Sequence, residues 1–170
     1  GKAFGSTLAV TVNYSGGPIQ PEGQLVINEI MYNPLSTDSS FIEIYNRAPN
    51  YAFHLSGWRL NGVDYTFPGA IIGGGQYVVV VKNGGAFAAA FPGVPFVGQF
   101  DGNLDNGGET ITLERPALVG TNIVYTAIDK VRYDDDLPWP GDADGRGPSL
   151  QLIDSSQDNS RVSNWTDQQV

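Results

Sequence analysis

Residues 77–81 read Tyr-Val-Val-Val-Val, a continuous apolar run in which four successive side chains are branched at Cβ. Such branching favours extended backbone, and a run without alternation is typical of a strand that is covered on both faces. Upstream, residues 41–46 read Phe-Ile-Glu-Ile-Tyr-Asn, in which apolar and polar side chains alternate. That alternation is typical of a strand with one buried face. The two stretches predict a core made of β-strands.

Further strands are predicted on both sides of these two. Residues 61 and 62 are Asn-Gly, a hairpin signal, because both residue types accept positive φ. The alanine-rich segment 85–91 is the one stretch with a helical pattern. About eight short strands with one short helix predict an all-β fold, a two-sheet β-sandwich. The other predicted strands are 25–32, 54–60, 64–67, 109–114, 123–133 and 149–153.

The alternation also predicts which side chains are buried. Glu43 and Arg59 each stand between apolar neighbours, so both are expected to point away from the core. Opposite charges on adjacent strands stabilise a sheet, and we predict that these two side chains lie side by side. The side chains predicted for the core are Ile42, Ile44, Trp58, Leu60, Val78 and Val80.

The chain divides into residues 1–24 and a sandwich domain over 25–170. Residues 7–14 alternate, with Leu8, Val10, Val12 and Tyr14 on one face, and they predict a further strand. Residues 15–24 read as a linker rich in Gly and Pro. The strand is either the end of a preceding domain or an extra edge strand of this one. The second interpretation is favoured slightly, because an exposed lone strand would aggregate.

Composition limits the classes of partner. The 170 residues carry 18 acidic and nine basic side chains, for a net charge of −9. Such a surface repels phosphate backbones, so no nucleic-acid partner is expected. The sequence contains no cysteine, which removes thiol catalysis and zinc–thiolate sites. No apolar run reaches the roughly 18 residues of a membrane-spanning helix, so no membrane insertion is expected.

Catalytic residues are not predicted. His54 is the only histidine, and Ser56 lies two residues away, but no sharp turn typical of a nucleophilic serine surrounds them. Glu29 and Glu43 each lie inside an apolar strand, and two such carboxylates resemble the acid–base pair of a glycosidase. A structural role, with the glutamate paired across the sheet, is the favoured interpretation.

Aspartate-rich loops are the candidates for metal binding. Asp134, Asp135, Asp136, Asp142 and Asp144 lie within eleven residues, and carboxylate oxygens are the ligands that Ca²⁺ prefers. Aspartate and glycine are also ordinary turn residues, and the sequence 142–145 matches only a fragment of a calcium-binding loop. We therefore predict no cofactor and at most weak Ca²⁺ binding. Asp101, Asp105 and Glu109 form a second acidic group of the same kind.

Taken in order, nine short motifs resemble the lamin tail domain, an immunoglobulin-like family of nuclear lamins and of many bacterial surface proteins. The resemblance implies an immunoglobulin-like β-sandwich without catalytic residues, and it is nearest to the bacterial branch. Family members bind proteins and some bind DNA, but this chain has no basic tail or patch. The motifs lie at residues 27–30, 41–46, 55–60, 75–80, 104–110, 131–135, 138–140, 147–150 and 164–165.

The resulting hypothesis is a non-catalytic interaction or structural module of a larger secreted or cell-surface protein, bacterial in type, with a protein as its partner. One alternative is a Ca²⁺- or carbohydrate-binding accessory domain of an enzyme. The other is a small hydrolase that uses Glu29, Glu43 or the aspartates near Asp134. A coplanar aromatic strip would favour carbohydrate, a concave pocket with two carboxylates would favour the hydrolase, and a smooth surface would favour the interaction module.

Overall fold

A computed structural model describes residues 19–168, and the predicted strand over 7–14 lies outside the described residues. The described part is all-β, as predicted, with one α-helix, α1, at Gly84–Ala90. Its strands are β1 Leu25–Met31, β2 Phe41–Asn46, β3 Phe53–His54, β4 Arg59–Asn61, β5 Tyr65–Thr66, β6 Ile71–Ile72, β7 Tyr77–Val81, β8 Gly98–Gln99, β9 Thr110–Val119, β10 Asn122–Arg132, β11 Leu150–Leu152 and β12 Trp165–Thr166.

Two main sheets form the sandwich that the sequence predicts. One has six strands in the order β12-β11-β1-β2-β7-β8, and the other has four in the order β10-β9-β4-β5. A small third sheet, β3-β6, is added to these. Neighbouring strands run antiparallel except β7 and β8, which are parallel. Antiparallel pairing through short turns is the usual construction of an immunoglobulin-like fold.

The core lies between the two main sheets and contains every side chain predicted for it. Ile42, Ile44 and Val80 are fully buried from the six-stranded sheet, and Leu60 is fully buried from the four-stranded one. Trp58, directly before β4, is 5% exposed and belongs to the same cluster. The sequence pattern therefore identified the buried faces of β2, β4 and β7 correctly.

The outer face of the six-stranded sheet is half covered by α1. Phe87 of the helix packs on Phe41, Val79 and Val81, which point away from the main core. The helix begins after Asn83, whose side-chain oxygen accepts from the amide of Ala86 at 3.0 Å. This second cluster explains why the run at β7 is apolar on both faces. Within residues 19–168, no helix is long and apolar enough to cross a lipid bilayer.

The prediction of one strand over 54–60 is wrong. A turn interrupts it, since the amide of Trp58 donates to the carbonyl of Leu55 at 3.0 Å and Gly57 has φ of 76°. Positive φ at the third position is typical of a type II turn and suits glycine. The turn sends β3 to the small sheet and β4 to the four-stranded sheet.

The predicted Glu43–Arg59 pair is also wrong, because β2 and β4 belong to different sheets. Arg59 does point away from the core, but its ion pair is with Glu114 on β9. The guanidinium also lies 3.7 Å from the centroid of the Tyr125 ring on β10. Arg59 and Glu43 are separated because the turn at Gly57 directs residue 59 into the four-stranded sheet, whereas Glu43 lies in the six-stranded sheet.

Candidate functional site

A β-bulge at Asn28 brings two carboxylates together on the open half of the outer face. Ile27 pairs with Ile44 and Glu29 pairs with Glu43, so Asn28 is an extra residue on β1. Strict alternation would have placed Glu29 on the same face as buried Ile27. The bulge turns Glu29 outward, where it lies directly across from Glu43.

Each carboxylate accepts hydrogen bonds from neutral donors. Glu43 Oε1 accepts from Nδ2 of Asn28 at 3.0 Å, so the bulge residue itself holds Glu43. Glu29 Oε1 accepts from the hydroxyl of Ser149 and, at 3.5 Å, from Nε2 of Gln151. No Lys or Arg among residues 19–168 forms an ion pair with either glutamate.

The electrostatics of the pair follow from this environment. Burial raises the pKa of Glu43 to about 7; the hydrogen bond from Asn28 opposes that rise, and the charge of Glu29 adds to it. Burial likewise raises the pKa of Glu29, against the hydrogen bonds from Ser149 and Gln151. Like charges directly opposite one another destabilise a sheet, and a proton or another cation relieves the repulsion.

Two tyrosines complete a shallow depression of about 330 Å³ around the glutamates. Tyr45 of β2 and Tyr77 of β7 stack with ring centroids 4.5 Å apart. Tyr77 is 53% exposed, so the depression is open to water on that side. We name it the carboxylate depression; its lining residues are Asn28, Glu29, Glu43, Tyr45, Tyr77, Gln151, Leu152, Ile153 and Ser155.

The bulge is secured from the opposite sheet by Asp129 of β10. Asp129 Oδ2 accepts from the amide of Ile27 at 2.6 Å and from Nδ2 of Asn159 at 2.7 Å. A second bulge, between Ala127 and Asp129, brings this carboxylate into place. Burial raises the pKa of Asp129, and the two hydrogen bonds oppose that rise. The sequence analysis did not identify Asn28 or Asp129 as site residues. The adjacent polar residues Asn28 and Glu29, inside an otherwise apolar strand, are the signal in the sequence that could have indicated the bulge.

Replacing Glu43 with glutamine is expected to remove a pH-dependent loss of stability. Between pH about 4.5 and 7 the folded carboxyl keeps its proton while the unfolded one loses it, so stability falls as pH rises through this range. Glutamine keeps the acceptor for Asn28 and carries no charge. Because Glu43 is only half buried and water screens its charge, we expect a gain of about 1–2 kcal/mol at pH 8 and little change at pH 5.

Urea unfolding of both proteins at pH 5 and pH 8 measures the difference. Glu22→Gln is the matched control, since Glu22 forms a surface ion pair with Arg115 and its replacement should change stability by ~0–1 kcal/mol. Equal effects of Glu43→Gln at the two pH values would show that Glu43 is not desolvated.

The five aspartates proposed for metal binding do not all come together. Among the described residues, the carboxylates of Asp134, Asp135 and Asp136 lie within 4.8 Å of one another. Asp142 is paired with Arg146 at 3.0 Å, and Asp144 accepts from Nδ2 of Asn33 at 2.7 Å. Asp134 also caps its own turn by accepting from the amide of Asp136. These are the turn roles that aspartates commonly have.

We expect no tight Ca²⁺ site at the Asp134–136 group, and at most weak binding with a dissociation constant of about 10⁻⁴–10⁻³ M. Three exposed or half-buried carboxylates supply fewer than the six to eight oxygens that Ca²⁺ takes. Isothermal titration with CaCl₂ measures the affinity, and Asp142→Ala is the matched control because Asp142 is paired elsewhere. A micromolar constant that Asp134→Ala abolishes would contradict this expectation.

The remaining sequence candidates have structural partners. The hydroxyl of Ser56 donates to the carbonyl of Pro68 at 3.2 Å, while Nδ1 of His54 accepts from the amide of Ser56. The serine oxygen is therefore not the group that His54 contacts. Glu109 accepts from the amide of Asp105 at 2.8 Å and from the hydroxyl of Tyr133. These two hydrogen bonds hold the loop between Asp105 and Glu109 in place.

Comparison with known proteins identifies a family for this chain. A family model described as Lamin Tail Domain, an immunoglobulin-like domain, matches residues 18–135. A search of curated proteins finds no match. The matched range includes Asn28, Glu29, Glu43 and Asp129, whereas β11, which supplies Gln151, lies outside it and joins β1 in the same sheet.

Proposed function

The chain belongs to the lamin tail domain family, and from this premise we propose that it is a protein-binding module of a larger secreted or cell-surface protein. Domains of this family are generally non-catalytic interaction modules. The extracellular location is supported by the resemblance of the motifs to the bacterial branch. The net charge of −9 favours a basic protein partner over nucleic acid.

The observation that carries the proposal is the pair of half-buried glutamates in the carboxylate depression, neither of which forms an ion pair with a Lys or Arg among residues 19–168. We propose that the partner presents an arginine or lysine side chain to Glu29 and Glu43. A guanidinium donates to both carboxylates and stacks on an aromatic ring, which the exposed face of Tyr77 offers. The depression holds about 330 Å³, which is room for one such side chain and its flanking backbone.

The expected affinity depends on pH in a defined direction. Glu43 has a pKa of about 7, so it is mostly protonated at pH 6 and mostly ionised at pH 8. Only the ionised form attracts a guanidinium fully, and binding therefore releases a proton. Affinity therefore rises with pH across this interval.

A peptide titration followed by amide NMR tests the proposal. The probes are Ac-Gly-Gly-Arg-Gly-Gly-amide and the same peptide with citrulline, which has the shape of arginine without its charge. We expect the arginine peptide to shift amides near residues 28, 43 and 77 with a millimolar constant, about fivefold weaker at pH 6 than at pH 8. Glu43→Gln should weaken binding, and Glu22→Gln should not.

Three outcomes would refute the site. Equal binding of the citrulline peptide would show that charge is not recognised. Shifts confined to residues 134–136 would assign binding to the aspartates. The absence of shifts at either pH would show that Glu29 and Glu43 do not bind the arginine peptide.

A second candidate is the carboxylate-dependent hydrolase, because a concave site with two carboxylates is the feature that favours it. Glu43, which carries a proton near neutral pH, would be the general acid, with Glu29 as the other carboxylate. The open side at Tyr77 argues against it, since substrate pockets bury most of the ligand surface. Hydrolysis of nitrophenyl glycosides or esters that both Glu29→Gln and Glu43→Gln abolish would establish this activity.

A further inference from the structure

A two-stranded ribbon extends from the four-stranded sheet with its side chains exposed. β4 pairs with β9 only as far as Glu114, while β9 and β10 remain paired to the turn between Val119 and Asn122. Leu118 is 75% exposed and Ile123 is 62% exposed. We call residues 116–125 the ribbon. It contains no charged residue, although the chain as a whole is 16% charged.

An uncovered ribbon of this kind is unfavourable in water. Two-stranded hairpins are marginally stable alone, and apolar side chains that line an unpaired strand invite association. Side-chain alternation along β9 places Ala117 and Val119 on the same face as buried Ile111 and Leu113. On β10, Val124 lies opposite Ala117. This inner face of the ribbon continues the core surface beyond the body of the domain.

Gln20 and Glu22, near the start of the described residues, lie where the inner face of the ribbon joins the four-stranded sheet. Arg115 belongs to that face by alternation, and its guanidinium contacts Gln20 at 3.3 Å and Glu22 at 3.2 Å. Gln20 and Glu22 therefore lie beside the ribbon.

We propose that residues 7–14 of this chain pack along the inner face of the ribbon. They are Thr-Leu-Ala-Val-Thr-Val-Asn-Tyr, with an apolar face of Leu8, Val10, Val12 and Tyr14 and no charge. Covering one uncharged strand with another removes apolar surface from water without desolvating ions. This role is independent of the carboxylate depression.

The connection is long enough. From Tyr14 to Ile19 the chain has five steps, which span at most about 17 Å, and the ribbon from Arg115 to Gly120 is also about 17 Å long. Eight residues in extended form cover about 26 Å, more than the ribbon needs. A short tether also holds the segment at a local concentration of about millimolar, which a second copy reaches only in concentrated solution.

Hydrogen exchange of the complete 170-residue chain tests the proposal. We expect the double variant Val10→Asp/Val12→Asp to accelerate exchange of the ribbon amides about tenfold, because the apolar face of the segment no longer binds. The control is Thr11→Asp/Asn13→Asp, which adds the same charge on the opposite face and should leave the ribbon protected. Unchanged ribbon exchange in the first variant, or equal acceleration in both, would overturn the proposal.

Disulfide formation distinguishes this occupant from a second copy. The chain has no cysteine, so pairs introduced at Val10→Cys with Val119→Cys or Val124→Cys report only their own proximity. We expect at least one pair to oxidise within a monomer about tenfold faster than the control, Thr11→Cys with Val119→Cys. Disulfide-linked dimers would assign the ribbon to a second copy, and rates equal to the control would exclude residues 7–14.

Discussion

Replacing Trp58 with alanine is expected to lower the free energy of unfolding by about 3–5 kcal/mol. The side chain is 5% exposed and belongs to the cluster between the two main sheets. Its removal leaves a cavity that strands on both sides cannot close, because their backbones are held by hydrogen bonds at fixed spacing. The backbone at residue 58 is also fixed, since its carbonyl accepts from the amide of Phe67 at 2.8 Å.

Denaturant unfolding at constant pH measures this loss, with unchanged m-values as the sign that the fold persists. Trp58→Phe keeps a ring in the cavity and should cost less than alanine. Leu35→Ala removes an apolar side chain that is 73% exposed and should change stability by no more than about 0.5 kcal/mol. A cost below about 1 kcal/mol for Trp58→Ala would contradict its place in the core.

Asn46→Asp is expected to have an effect of similar size, although it alters only one atom of the side chain. Asn46 is fully buried, and its Nδ2 donates to the carbonyls of Tyr51, Gly73 and Ile72 at 2.7, 3.0 and 3.2 Å. Its Oδ1 accepts from the amide of Ala48 at 3.0 Å. Aspartate would place a carboxylate against three carbonyl oxygens and remove the amide group that donates to them.

We expect this substitution to cost about 3–5 kcal/mol at pH 8, the range found for uncompensated buried charges. At pH 5 part of the loss should return, because a protonated aspartate can donate to one carbonyl. Unfolding curves at the two pH values provide the measurement, and Asn122→Asp, at an exposed position, is the control. An equal and small cost for both substitutions would show that the hydrogen bonds of Asn46 do not support the fold.

Asn46 also shows a limit of what the sequence predicts about this fold. The sequence identified it as the last residue of a strand, which is correct. Its three carbonyl partners lie up to 27 residues away, two in loops and one at the end of β6, and no periodic pattern records such contacts. Asp129 is a similar case, since its hydrogen bond to the amide of Ile27 spans 102 residues.

The sequence by itself determined the all-β class, the main strands, the buried faces of the regular strands and the family. These are local properties, because the alternation of side chains along a strand depends only on extended backbone geometry. Phe41–Asn46 and Tyr77–Val81 were predicted with the bounds they have. The two-residue strands β6, β8 and β12 were missed, since two residues cannot show a period and they are strands only because a neighbour offers hydrogen bonds.

Tertiary structure alone decided which faces meet and which charges pair. The turn at Gly57 moved Arg59 to the opposite sheet, where Glu114 replaced the predicted partner Glu43. The bulge at Asn28 turned Glu29 outward beside Glu43, against the strict alternation that the sequence suggests. Register and sheet assignment depend on single backbone irregularities and on partners far along the chain, which is why the carboxylate depression became visible only in the folded protein.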